Sequence, residues 1–206
     1  MIISDAITLL KNSELRQVSI QDETVAIIGF INLAVLEIHK RFNLWEDEAV
    51  INMAEDVLVY KLDGLDANVD IDLSDRELLM IEAVYNNDGT QASLNDELDA
   101  ASVWTPKYHT VEIIESTPTE VMNVIYRASP AFSTADTDVI PIPPQFIESL
   151  MFYVGFKGHG SIKSEGPSTS YGYYKQFERS VAVIKEEGLF AQDDLVSHKF
   201  DDNIYP

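Results

Sequence analysis

Pro141, Pro143 and Pro144 stand within four consecutive positions, and no other feature limits the fold of this chain as strongly. Each proline fixes φ and removes a backbone donor, so 140–144 is extended and has no place inside a helix or a central strand. Pro144 suits the first position of a helix, where an amide would have no intrahelical partner. From there Ile147, Leu150, Met151 and Val154 recur at i, i+3, i+4 and i+7, an apolar stripe predicted to end near Gly155 and Gly158. The polar, glycine-rich run 158–167 reads as a loop. A second stripe follows at Tyr171, Tyr174, Phe177, Val181 and Ile184, with Gly188 at the position of a C-terminal cap. The two stripes predict an antiparallel helical hairpin.

Near the N-terminus, Ser4 is placed to cap a short helix carrying Ile7, Leu9 and Leu10. A longer helix is expected over 20–42, opened by Ser19 and Asp22 in a variant of the capping box. Ile28, Ile31, Val35, Ile38 and Phe42 form its stripe, widened by Ile27, Phe30 and Ala34. Such a helix is about 34 Å long, and its apolar arc is wide enough for more than one partner. The economical partners are the two C-terminal helices, which would make a bundle closed by sequence-distant elements.

Between these helices the pattern changes. Short runs rich in Val, Ile, Leu and Tyr at 49–53, 57–62, 69–73, 78–85, 108–114 and 121–127 are separated by turn residues such as Asp63-Gly64 and Asn86-Asn87-Asp88-Gly89. They predict a small antiparallel sheet or sandwich, with 86–89 as its best hairpin signal and 91–105 as a loop over a buried Trp104. The fold class expected is therefore α+β. Residues 1–45 and 137–188 would form the helical bundle, 46–136 an inserted β subdomain, and 189–206 a C-terminal docking tail.

The search for reactive chemistry returns little. The chain has no cysteine, which excludes disulfides, thiol nucleophiles and thiolate metal sites. Asp66, Asp70, Asp72, Asp75 and Glu77 are the densest acidic cluster, yet an EF-hand register begun at Asp70 meets Asp75 where glycine is needed and Ile81 where glutamate is needed. Alternation over 69–73 instead suggests a strand with solvated carboxylates on one face. His39, His109, His159 and His198 are scattered, without zinc-ligand spacing. His39 reads as a complement to a helix dipole and His159 as a loop residue. No phosphate loop, dinucleotide fingerprint or nucleophile elbow is present. No enzymatic activity, metal or cofactor is expected. With 35 acidic and 14 basic residues and a net charge of −21, a broad nucleic-acid-binding surface is excluded as well, because phosphate neutralisation needs clustered Lys and Arg. No basic segment precedes a long apolar run at the N-terminus, so no signal peptide or membrane span is expected.

One ordered set of segments carries a resemblance. Val124-Ile-Tyr-Arg-Ala-Ser-Pro130, then Asp136-Thr-Asp-Val-Ile-Pro-Ile-Pro143, Phe146-Ile-Glu-Ser-Leu-Met-Phe-Tyr-Val154 and Tyr173-Tyr-Lys-Gln-Phe-Glu-Arg-Ser-Val181 follow one another. In this order they resemble the head-to-tail adaptor, or connector, proteins of tailed bacteriophages, especially the tubular adaptors of short-tailed phages. The C-terminal third matches closely and the N-terminal part in layout. The resemblance implies a structural virion protein of the tail or neck, made in the host cytoplasm. It would form a ring of twelve copies that joins the portal protein to the tail tube or nozzle and seals or conducts the DNA channel. DNA would pass through the lumen without specific binding. Alternatives are a tail completion or terminator protein or, in a different class, a small acidic metal-binding protein or enzyme.

The candidate interface residues are Tyr173, Lys175, Arg179 and Lys185 on the last helix, with Phe190, Phe200, Ile204 and Tyr205 in the tail. Tyr173 is expected to point away from the stripe, and tyrosine is enriched at interfaces. The three cations are scarce in so acidic a chain and suit the acidic face of a neighbouring copy. The tail is expected to meet portal and the β subdomain to face the tail side.

Overall fold

The structure, a computed structural model, describes residues 1–18, 23–73, 76–115, 120–161 and 167–188. The chain is α+β and divides into two units, Met1–Phe42 with Phe132–Pro206, and Asn43–Ala131.

The first unit holds helices α1 (Ile3–Asn12), α2 (Thr24–Arg41), α3 (Ile147–Gly160) and α4 (Pro167–Glu186). Ser4 is not the cap of α1; it lies within the first turn, after an N-cap position held by Ile2. The orphan amides of that turn are satisfied by backbone instead. Ile3 donates to the Asp138 carbonyl at 2.9 Å and Ser4 to that of Asp136 at 2.8 Å, while Ile2 bridges Val139. The segment leading into the prolines thus doubles as the N-terminal cap of α1. Asp138 holds its shape, its carboxylate accepting the amides of Thr134 at 2.8 Å and Ala135 at 2.9 Å.

Pro144 opens a 3-10 turn, Pro144–Phe146, that runs directly into α3. Phe146 is fully buried and meets Phe42 edge to face at 4.6 Å, tying the end of α2 to the start of α3. On α2, Ile27, Ile28, Ile31, Ala34, Val35 and Ile38 are buried, as the stripe requires. The capping pair expected at Ser19 and Asp22 lies outside the described residues.

Among the described residues the second unit holds strands β1 (Glu46–Asn52), β2 (Val59–Lys61), β3 (Val69–Asp70), β4 (Leu78–Tyr85), β5 (Trp104–Lys107), β6 (Thr110–Glu112) and β7 (Val121–Ala128). They make an antiparallel sheet in the order β3-β1-β7-β4 and a smaller one in the order β2-β6-β5. Alternation sets the inward face: Ala49 pairs with Val124 and Ile51 with Met122, and all four are buried. Tyr60 and Val111 from the smaller sheet join the same core. The Tyr60 hydroxyl donates to the Val57 carbonyl at 3.0 Å and accepts the Ala54 amide at 3.1 Å, so its burial leaves no polar group unsatisfied.

One expectation needs correction here. Residues 91–105 are not loop throughout, because Trp104 opens β5 and is partly exposed; a second short hairpin joins β5 to β6 across Tyr108-His109. The 86–89 turn forms as expected, with Gly89 at φ +81°, and closes a short antiparallel return in which Asn86 donates to the Thr90 carbonyl at 2.9 Å, Ala92 to that of Val84 at 2.8 Å, and Tyr85 bridges Gln91. The ladder partner of β4 along Leu78 to Tyr85 is the sequence-distant β7.

Candidate interface on the helical unit

The α3–α4 seam determines which side chains of α4 remain available. Gly160 lies by Ser170, Gly155 by Tyr173, and Ser149 meets Ser180 at 2.8 Å, so partners descend α4 as residues ascend α3 and the helices run antiparallel. α3 runs through Gly155 and ends two residues past Gly158, at Gly160. Its glycines are close-approach positions. A Cβ at Gly155 would lie 2.9 Å from Cδ1 of Tyr173, and one at Gly158 would lie 2.4 Å from Cδ2 of Leu15. His159 is correspondingly a buried helical residue, not a loop residue. Its Nε2 pairs with the Glu14 carbonyl at 2.8 Å and its ring stacks on Tyr173, with centroids 4.9 Å apart.

Tyr173 and Tyr171 are therefore reversed relative to the expected stripe. Tyr173 is half-buried over Gly155 and His159, whereas Tyr171 is 58% exposed. Phe177, Val181 and Ile184 are buried as predicted. Lys175 and Arg179 are exposed one turn apart, and Lys175 lies 4.8 Å from the centroid of the Tyr171 ring. Lys185 reaches over Phe42 at 5.3 Å. Phe190, Phe200, Ile204 and Tyr205 lie outside the described residues.

Arg41 was not among the candidate residues, yet it ties α2 to α4. It bridges Glu37 at 3.0 Å and Glu178 at 2.8 Å, and its guanidinium lies 4.8 Å from the Phe177 ring centroid. The hydrogen bond from Arg41 holds the Glu178 carboxyl below its usual range. On the outer side of α3 and α4 lies an open groove of about 490 Å³. Phe152, Ser180, Val183 and Ile184 line it, with Arg179 towards one end and Glu148 and Glu187 at the other. This groove was also missed, since its lining is uncharged except at the ends.

The β unit has an open cleft of about 590 Å³ whose titratable lining is carboxylate, from Asp88, Glu115 and Glu120. The backbone amide of Thr90 keeps the Asp88 carboxyl low, the opposite of what a general acid needs. In the 63–77 run, Asp66 accepts the amides of Lys61 and Asn68, and Asp63 accepts that of Leu65, so these carboxylates shape turns. Among the described residues no group of three His, Asp or Glu side chains is placed to hold a metal ion. No helix among them is long and apolar enough to cross a membrane.

The family model for the SU10 adaptor protein matches residues 2–196, running through both units. The chain belongs to the SU10 adaptor protein family. The resemblance to phage adaptor proteins is thereby confirmed, and the role of this SU10 adaptor is structural. Among solved structures, a chain titled as the neck of an empty GTA particle, computed with C6 symmetry, is similar at 10% identity. The similarity covers 86% of the present chain and 91% of that one, with a TM-score of 0.28, too low to bear on partners. Comparison with curated proteins gives no match.

Proposed function

We propose that this adaptor forms a ring, of twelve copies as in related connectors, between the portal protein and the tail tube or nozzle of a tailed phage. The observation that carries this reading is the family match across 2–196, which takes in the helical unit and the β unit alike. In this reading residues 1–45 and 137–188 act as a helical bundle whose faces join neighbouring copies. The 46–136 subdomain faces the tail, and 189–206 docks on portal. Tyr173, Lys175, Arg179 and Lys185, with Phe190, Phe200, Ile204 and Tyr205, supply the contacts. A net charge of −21 suits a conduit wall, since repulsion from the wall lets the duplex slide without binding. The protein acts without catalysis and is built into the virion neck after synthesis in the host cytoplasm.

Co-sedimentation with the portal tests this directly. The full chain pellets with portal, and a chain lacking 189–206 stays folded by circular dichroism but remains in the supernatant. Equal pelleting of both chains removes the docking assignment. Copurification with tail tube but not portal would make the chain a tail completion protein instead. A saturable, stoichiometric calcium or zinc signal in calorimetry would favour the metal-binding class.

A further inference from the structure

α2 is apolar on more sides than its own unit covers. From Val25 to Leu36 it carries no charge, and its one polar side chain is that of Asn32. A helix apolar all round is ordinarily buried all round. Here Val25 is 85% exposed and Leu33 43% exposed, each about one turn from an exposed Gly29 where an added Cβ would meet nothing within 4 Å. Ala26, Phe30 and Leu36 flank this ridge and are only partly covered. The same unit carries the α3–α4 groove, floored by Phe152, Ser180 and Ile184, with Val183 still 38% exposed.

We infer that the ridge of α2 seats in the α3–α4 groove of a second copy of this chain, so that each copy gives a ridge to one neighbour and a groove to the other. This rests on the ring reading above and names the surfaces that make it. Two different patches on one unit form a heterologous contact, the kind that closes into rings when the rotation per copy allows. The lengths agree: Val25 to Leu36 spans about 16 Å of helix, as does Gln176 to Glu187. The charges also agree and set the direction. The groove is cationic at the end lined by Arg179, with Lys175 one turn beyond it, and anionic at the Glu148 and Glu187 end, while Glu23 precedes α2 and Lys40 stands in its last turn. The incoming α2 therefore runs parallel to α4, with Glu23 towards Lys175 and Leu33 over Val183. The small Gly29 at mid-ridge lets the backbones approach closely.

Because the chain has no cysteine, introduced thiols are its only thiols. The Leu33→Cys, Val183→Cys double variant, oxidised after assembly on portal, gives a ladder of disulfide-linked multimers. Mixed single variants give dimers, and neither single variant links to itself. Lys175→Glu weakens assembly about tenfold, a loss of about 1.4 kcal/mol per contact, and Glu23→Lys added to it restores assembly. Homodimers from Leu33→Cys alone would mean an α2–α2 contact and overturn the pairing. A ladder from Val25→Cys with Val183→Cys, in place of Leu33→Cys, would overturn the direction. A ladder that forms only after removal of 189–206 would make that segment of the same chain the occupant of the groove. Rings seen by electron microscopy without a ladder reject the pairing while keeping the ring; absence of any multimer on portal rejects the ring reading itself.

Discussion

A single methyl group separates the helical glycines into two kinds. At Gly155 three ring atoms of Tyr173 stand 2.9 to 3.2 Å from where a Cβ would be, whereas at Gly29 and Gly172 nothing lies within 4 Å. Alanine gains about 1 kcal/mol of helix propensity over glycine at any of these positions. At Gly155 that gain is outweighed by overpacking, which costs about 1–3 kcal/mol when a rigid ring must give way. Gly155→Ala is therefore expected to lower stability by about 1 kcal/mol. Gly29→Ala and Gly172→Ala should raise it by about 0.5–1 kcal/mol. Urea midpoints of the three variants check the signs, and equal shifts would contradict the close approach of Tyr173. In the β unit, Tyr60→Phe removes a buried hydroxyl that both donates to Val57 and accepts from Ala54. The amide it leaves behind makes the expected loss about 1–3 kcal/mol by the same measurement.

At the scale of elements, the α2–α4 junction gives the molecule an acid-sensitive contact. The Arg41 hydrogen bond holds the Glu178 carboxyl below its ordinary value. A depressed folded value means stability that is fully present above the unfolded value and is lost as pH falls through the folded one. Wild type should exceed Glu178→Gln by about 0.5–1 kcal/mol at neutral pH, as for a partly exposed ion pair. The gap should close as the medium is taken well below about pH 4.3, the ordinary glutamate value. A gap unchanged by acid would remove the ion pair from the junction. What the sequence disclosed about these elements follows the range of the interaction. Pro144, the stripes of α2 and α3, and the Val, Ile, Leu and Tyr runs that became β1, β4 and β7 are local signals, and each was readable. The end of α3 was readable to within a turn, but the packing role of Gly155 and Gly158 was not, because they look like stops until Tyr173 and Leu15, distant in sequence, are seen against them. β5 was hidden for the same reason, since Trp104 acquires its ladder only by pairing with β6. Arg41 gave no signal because its partner Glu178 lies on another helix, and the groove gave none because its lining is assembled from two helices.

For the whole molecule, the distribution of charge is as informative as its total. Nineteen of the 35 acidic residues fall within Asn43–Ala131, where Lys61, Arg76, Lys107 and Arg127 are the only cations. The remaining ten of the 14 basic residues belong to the other unit, including Lys175 and Arg179 on its exposed face. In the ring proposed above, like-charge repulsion would oppose contact between the β units of adjacent copies more strongly than between their helical units. The central claim is that identical copies of this chain close around the portal axis. Cryo-electron microscopy of the purified protein mixed with its portal tests it most directly. The account predicts a closed ring of copies coaxial with the portal, with the helices of neighbouring copies in lateral contact. Portal particles that remain bare, or single copies bound without touching one another, would contradict it.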